Sequence, residues 1–272
     1  MIALNHIYKN YGMHRILEDV NLTVKKGEIY GLVGKNGAGK TTIFKIILGL
    51  TAYEKGRLSI AGNDTASALS AARKSIGFFI GKNFFDYLTA RENLEYYRRM
   101  KGIQKKEEVG RVLELVGLQD ATAPFGSFSM GMKQRLGIAN AMLGNPEILI
   151  FDEPVNGLDP QGIADIRNLL IQLNAIYGTT ILISSHILGE LEHTATRFGI
   201  INHGRVLQEI TRDDLKVRSD TIQIRVSDRE KAVRLLLENH IDILQENDTY
   251  RSLEDYYFAL TGGNIHDELY QR

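Results

Sequence analysis

A glycine-rich segment, residues 34–41, constrains this chain more than any other feature; it reads Gly-Lys-Asn-Gly-Ala-Gly-Lys-Thr. It fits G-x-x-x-x-G-K-[ST], the P-loop pattern that holds the phosphates of ATP or GTP. The apolar run before it, residues 28–33, predicts a strand, and residues 42–48 predict the helix that follows. A chance glycine-rich turn is the alternative, but a strand before it and a helix after it favour the P-loop.

The residue types in this segment match the chemistry of a triphosphate. Glycines let successive backbone N–H groups point inward around an anion. Lys40 supplies a cation near the β and γ phosphates, and the hydroxyl of Thr41 is suited to ligate Mg²⁺. The nucleotide-binding candidates here are Gly34, Asn36, Gly37, Ala38, Gly39, Lys40, Thr41 and Thr42.

Composition excludes several classes of protein. The 33 basic residues equal the 33 acidic ones, which argues against a general nucleic-acid binder. The absence of cysteine excludes disulfides and thiolate metal sites. The longest apolar runs are far shorter than the roughly 20 residues that cross a bilayer, and the first residues lack the pattern of a signal peptide. We therefore expect a cytoplasmic protein whose membrane role requires a separate membrane partner.

Short apolar strands alternate with helical stretches through most of the chain, which predicts an α/β fold with a largely parallel sheet. The predicted strands are residues 3–8, 28–33, 57–60, 76–80, 147–151, 179–184 and 197–202. Between them, residues 89–101, 105–116 and 131–143 predict three helices without a strand. This pattern indicates a helical subdomain over about residues 86–144.

A second boundary is predicted near residue 216. Residues 1–215 are expected to form the nucleotide-binding domain, and residues 216–272 a small C-terminal α/β accessory region. Within that region, the sequence predicts strands at residues 221–226 and 241–245, a helix opened by a capping box at residues 227–230, and a final helix at residues 252–260.

Two carboxylates follow the apolar residues 148–151. A carboxylate at the end of a buried parallel strand lies at the edge of the sheet where ligands bind. Asp152 is placed to serve Mg²⁺, and Glu153 to orient and deprotonate an attacking water. An ordinary acidic strand end is the alternative, and the P-loop upstream favours the catalytic interpretation.

Three further residues have both a functional and a structural explanation. Ser129 can cap a helix whose free N–H groups form an anion site, or it can simply cap that helix. His186 follows a predicted strand, although a lone histidine is more often structural. Tyr11 is predicted in a turn ahead of the P-loop strand, where it could stack on adenine or pack as an ordinary tyrosine.

Together these segments resemble the nucleotide-binding subunit of an ABC transporter over about residues 2–215. The resemblance comprises the P-loop, a signature-like segment at residues 129–135, the strand and acidic pair at residues 148–154, a D-loop-like segment at residues 156–159 and a switch-like segment at residues 184–186. Residues 128–137 and 156–160 look most like the bacitracin-resistance and lantibiotic-immunity branch.

The resemblance implies a P-loop NTPase core of ABC type in which two subunits close head to tail over two ATP molecules. It implies that Lys40 contacts phosphates, that Thr41 and Asp152 serve Mg²⁺, and that Glu153 is the catalytic carboxylate. His186 then contacts the γ-phosphate.

From the opposite subunit, the resemblance implies that Ser129 and Gly131 contact the same phosphate and that Asp159 couples the two sites. Two positions depart from the family pattern. The signature reads Phe-Ser-Met-Gly-Met where L-S-G-G-Q is usual, and Gly81 occupies a position that usually holds Gln or Glu.

The implied function is that of the ATP-hydrolysing subunit of a bacterial exporter for an antimicrobial peptide or hydrophobic drug. The subunit would form an ATP-dependent homodimer, and an ABC permease would hold this homodimer at the inner face of the cell membrane. It would not bind nucleic acid. Two alternatives remain. One is a regulatory or sensing ABC ATPase with low turnover, which Gly81 keeps open. The other is a non-transport ABC ATPase, against which the balanced charge argues.

Overall fold

A computed structural model describes residues 1–81, 84–216 and 229–239. The chain divides into two compact units, Met1–Ile210 and Thr211–Arg272. The assignment of domains to residues 1–215 and 216–272 stays a prediction, because most of the second range lies outside the described residues.

In chain order the strands are β1 (Ile2–Tyr11), β2 (His14–Val24), β3 (Ile29–Val33), β4 (Lys55–Ile60), β5 (Ile76–Phe79), β6 (Ile148–Asp152), β7 (Thr180–Ser185), β8 (Arg197–Asn202) and β9 (Arg205–Thr211). The helices are α1 (Lys40–Leu48), α2 (Ala66–Arg73), α3 (Ala90–Met100), α4 (Glu107–Leu115), α5 (Met130–Met142), α6 (Pro160–Tyr177), α7 (Leu188–Glu192) and α8 (Arg229–Glu238).

The central sheet has six strands in the order β5-β6-β7-β3-β8-β9. Its first five strands are mutually parallel neighbours. Every residue of β3 and β7 is buried, as expected for parallel strands covered on both faces. The sheet confirms the predicted α/β fold, and its order brings the carboxyl ends of β6, β7 and β3 side by side.

A second sheet is antiparallel, with three strands in the order β2-β1-β4. It contains the strands predicted at residues 3–8 and 57–60, whereas β2 was not predicted. The β1–β2 pairing shifts register between Leu4 and Ile7, and both His6 and Asp19 have a positive φ of 53°. Such bulges interrupt the alternation of apolar and polar residues that identifies a strand.

One hydrophobic core joins the two sheets around α1. Ile43, Phe44 and Ile47 of this helix are buried, and they pack in one cluster with Leu17 of β2 and Leu182 of β7. Close packing of this kind leaves a side chain little freedom to move. The helix that follows the P-loop is therefore held from both sides.

The three helices predicted over residues 89–101, 105–116 and 131–143 are present as α3, α4 and α5, whereas their grouping into a subdomain stays a prediction. A capping box opens α3, in which Thr89 accepts from the backbone N–H of Glu92 while the Glu92 side chain accepts from the N–H of Thr89. Asn93 is fully buried and bonds the preceding loop through Phe85. Helices α2, α6 and α7 and strand β9 were not predicted.

Helix α8 matches the helix predicted after the capping residues 227–230. The strands predicted at residues 221–226 and 241–245 and the helix at residues 252–260 lie outside the described residues. None of the helices in the described ranges is both long enough and apolar enough to cross a membrane.

Candidate active site

The P-loop connects β3 to α1, as predicted, and its glycines are required by its geometry. Gly37 and Gly39 have φ values of +81° and +110°, in the left-handed region that other residues rarely adopt. A side chain on Gly34 would collide with the carbonyl oxygen of Ile201 on β8. The loop therefore curves tightly over the end of the sheet.

The interior of this curve suits an anion. Helix α1 begins at Lys40, its N-cap is Gly39, which has no side chain to cap the helix, and its first turn contains no acidic residue. Lys40 is only 5% exposed, and its Nζ donates to the carbonyl oxygens of Gly34 at 2.6 Å and Lys35 at 3.2 Å. A helix N-terminus and a buried ammonium together fit a phosphate chain.

Of the other P-loop candidates, Asn36 is exposed, while Ala38 and Thr42 are buried. Thr41 lies at the start of α1 and reaches the neighbouring strand β6. Its Oγ1 donates to Asp152 Oδ2 at 2.7 Å, although 111 residues separate the two in the chain.

Asp152, at the end of β6, also accepts a hydrogen bond at 2.6 Å on Oδ1 from the hydroxyl of Ser184. Hydroxyl and carboxylate oxygens are ligands that Mg²⁺ accepts in proteins. No group of three or more His, Cys, Asp or Glu side chains with metal-binding geometry occurs in the part of the chain that the structure describes. The donor set fits an ion that keeps several waters and is shared with substrate phosphates, as Mg²⁺ usually is.

Glu153 lies between the side chains of Lys40 and His186. Its Oε1 is 3.2 Å from Lys40 Nζ, and its Oε2 is 2.6 Å from His186 Nδ1. Its backbone has a φ of +52°, unusual for a residue with a Cβ, and its N–H donates to Ser184 Oγ at 2.9 Å. A carboxylate held beside a P-loop lysine is placed to accept a proton from a water molecule.

The remaining family-derived candidates form a second group. Ser129 caps α5, accepting from Met132 N at 3.2 Å, and Asp159 caps α6, accepting from Gly162 N at 3.0 Å. A Cβ on Gly131 would lie 3.9 Å from Leu158, so the signature-like and D-loop-like segments lie close together. The backbone N–H of Asn156, in the D-loop-like segment, donates to the carbonyl oxygen of Glu153 at 3.2 Å.

Tyr11 does not lie where the sequence predicted it. Tyr11 lies not in a turn but at the last position of β1, paired with His14; the residue is 45% exposed, and Lys9 Nζ is 4.9 Å from the ring centroid. The turn itself is residues 12–13, because β1 continues further than the alternation predicted.

Gly81 follows β5 with a φ of +72° and open space where a side chain would be.

Sequence reasoning missed Ser184, whose hydroxyl contacts both acidic residues of the site. Residues 184–186 were recognised as one switch-like segment, but only His186 received a role. Finding Ser184 requires the register between β6 and β7, which are far apart in the sequence but adjacent in the sheet. In this pairing Ser184 and Asp152 are direct partners.

Known proteins resemble this chain in both sequence and fold. The family model described as "ABC transporter" matches residues 17–156. The chain is 40% identical to the bacitracin transport ATP-binding protein BcrA of Bacillus licheniformis, over 97% of this chain and 98% of that protein. It is 38% identical to the lantibiotic transport ATP-binding protein SrtF of Streptococcus pyogenes, over 77% of this chain and 90% of that protein. A dimeric ATP-binding cassette, MJ0796, solved in a post-hydrolysis state with ADP and Pi, aligns with a TM-score of 0.70 and 28% identity over 78% of this chain and 99% of the other.

Proposed function

Because this chain belongs to the ABC transporter family and is an ATPase of that family, we propose that it powers export of an antimicrobial peptide through a separate membrane permease. One observation carries the proposal: the 40% identity with a bacitracin transport ATP-binding protein extends over 97% of this chain. A hydrophobic drug is the other class of cargo consistent with this branch. The subunit would then lie at the inner face of the membrane, held there by the permease.

In this function the P-loop binds the phosphates of ATP. The N–H groups from Gly37 to Thr41 surround the anion, and Lys40 neutralises charge on the β and γ phosphates. The exposed ring of Tyr11 stacks on adenine. The loop needs little rearrangement, because its glycines and α1 already fix its curve.

Thr41 and Asp152 would hold Mg²⁺. When bound, Mg²⁺ neutralises charge that develops on the transferred phosphoryl group. The Thr41 hydroxyl oxygen and the Asp152 Oδ2 atom are 2.7 Å apart. One ion beside the P-loop could therefore be close to both oxygens.

Glu153 takes the proton of the attacking water. The contact between its Oε2 and His186 Nδ1, at 2.6 Å, orients the carboxylate and keeps the imidazole near the γ-phosphate. Lys40, 3.2 Å from the other carboxylate oxygen, links the base to the phosphate-binding loop. General-base assistance of this kind contributes roughly 10²–10⁴-fold to a rate.

A second copy of this chain completes each site. Ser129 and Asp159 are exposed, as are Met130 in the signature-like segment and Gly157 in the D-loop-like segment. In a head-to-tail dimer Ser129 and Gly131 reach the γ-phosphate bound to the partner, and Asp159 couples the two sites. The similarity to a dimeric ATP-binding cassette supports this arrangement.

Purification from membranes in mild detergent tests the transporter proposal. We expect a polytopic permease to copurify with both the natural chain and the Glu153→Gln variant. Recovery of ribosomes without a permease would favour the non-transport alternative.

Bacterial survival tests the proposed cargo. Cells expressing the permease with the natural subunit should tolerate more bacitracin or lantibiotic than cells expressing it with Glu153→Gln. Equal tolerance to both peptides in the two strains would refute the peptide cargo, and the same comparison with hydrophobic drugs would then decide the remaining class.

A further inference from the structure

We propose that Ser184 is a positioning residue that holds Asp152 and Glu153 in the geometry required for hydrolysis. The inference rests on the proposed roles of those two acids. Ser184 lies on β7 and is fully buried. Its hydroxyl makes two hydrogen bonds at once, donating to the Asp152 carboxylate and accepting from the Glu153 backbone.

The first bond fixes the carboxylate of Asp152. Thr41 donates to Oδ2 at 2.7 Å and Ser184 donates to Oδ1 at 2.6 Å, so each carboxylate oxygen has its own hydroxyl donor. Two donors on opposite oxygens determine the rotation of the carboxylate plane. Without Ser184, only Thr41 would orient the group that is proposed to serve Mg²⁺.

The second bond supports an unusual backbone. Glu153 has a φ of +52°, and a left-handed conformation is unfavourable for a residue with a Cβ. Its N–H donates to Ser184 Oγ on the neighbouring strand at 2.9 Å. This conformation directs the Glu153 side chain back between Lys40 and His186, where it is proposed to act.

Ser184 therefore connects the P-loop helix to the catalytic carboxylate. Hydrogen bonds run from Thr41 to Asp152, from Ser184 to Asp152 and from the Glu153 backbone to Ser184. The link depends on direct pairing of Asp152 with Ser184 in neighbouring parallel strands. Residues that orient the ligands of a metal ion typically contribute 10–100-fold to metal affinity or activity.

Ser184→Ala, compared with Thr180→Val, tests the inference. Thr180 is a matched control, because it is fully buried on the same strand and its hydroxyl accepts from Gly27 N at 2.9 Å, far from the acidic pair. Each variant deprives one backbone N–H of its acceptor. We expect Ser184→Ala to lower kcat and raise the half-saturating Mg²⁺ concentration for ATPase by roughly 10–100-fold each, and Thr180→Val to change neither.

A binding measurement supplies a readout independent of turnover. In a Glu153→Gln background, Ser184→Ala should leave ATP affinity in EDTA unchanged and weaken the enhancement of ATP binding by Mg²⁺ by about 10-fold. Hydrogen exchange at the Glu153 amide should also accelerate. Ser184→Thr, which restores a hydroxyl, should recover most of the lost Mg²⁺ dependence.

The outcomes separate the two hypotheses. If Glu153→Gln alone hydrolyses ATP at the natural rate, the proposed role of Glu153 fails whatever Ser184 does. If Glu153→Gln is inert but Ser184→Ala matches Thr180→Val in every assay, the positioning role of Ser184 is refuted. Should Ser184→Ala not fold, Ser184→Cys replaces it; a natural Mg²⁺ dependence in that variant would refute the role equally.

Discussion

Replacing Glu153 with glutamine removes one negative charge from the centre of the site while preserving the shape of the side chain. The carboxylate now contacts Lys40 Nζ at 3.2 Å and His186 Nδ1 at 2.6 Å. In the variant, the amide oxygen can still accept a hydrogen bond from Lys40, and the amide N–H₂ can donate to an imidazole nitrogen. The site therefore keeps its contacts and loses its base.

The structure predicts a small effect on stability and a large one on rate. Lys40 keeps two carbonyl acceptors, Gly34 O at 2.6 Å and Lys35 O at 3.2 Å, so its ammonium is not left unpaired. The free energy of unfolding should fall by about 1 kcal/mol, because a hydrogen bond to a charged group is stronger than one to a neutral amide by about that amount. Loss of general-base catalysis should lower the hydrolysis rate by roughly 10²–10⁴-fold, equivalent to about 2.7–5.4 kcal/mol of barrier.

Phosphate release in a single turnover measures this rate, and gel filtration with ATP measures dimer formation. We expect Glu153→Gln to bind ATP with natural affinity and to accumulate as an ATP-bound dimer. Glu108→Gln is the control, since Glu108 is also paired with a cation, 2.6 Å from Arg111 Nη2, but lies on α4, away from the site. That variant should lose stability without losing hydrolysis. Natural turnover in Glu153→Gln would refute the assigned role.

Three further predictions concern other parts of the chain. Mixing Lys40→Ala chains with Ser129→Arg chains should leave one composite site intact and recover some ATPase activity; loss of nucleotide binding by Ser129→Arg monomers would instead place that serine in its own chain's site. Hydrolysis should survive with the natural Gly81, and Gly81→Gln should change it only as mildly as Gly81→Ala, since the φ of +72° strains any side chain; an inert natural protein activated by glutamine would support the regulatory alternative. Hydrogen bonding from Arg98 and its neighbour lowers the pKa of Glu95 from 4.5 to about 2, so its stabilising contribution is complete above about pH 4.5 and lost as the pH falls toward 2. In urea titrations the advantage of the natural chain over Glu95→Gln should shrink across that range, and a constant difference would contradict the assignment.

The elements that could be predicted are those whose signal is local. Strand β3 and helices α3 and α5 were located to within about two residues, because apolar runs, capping residues and helical periodicity all lie within each segment. Strand β2 was missed because Asp19 and the bulges around it break the alternation of buried and exposed residues. Helix α6 was missed although Asp159 and Pro160 form a recognisable start signal.

The same distinction explains what could be predicted of the site. The P-loop and the acidic pair are short motifs, so Lys40, Thr41, Asp152 and Glu153 could be proposed as site residues without knowing where the strands lie. Ser184 belongs to no pattern that a single segment contains. Its hydroxyl matters because β7 lies beside β6 with Asp152 opposite Ser184, and this pairing joins residues 32 positions apart. Strand order and register depend on packing throughout the sheet, so residues that orient a catalytic group from a neighbouring strand are recognised only when both strands are seen together.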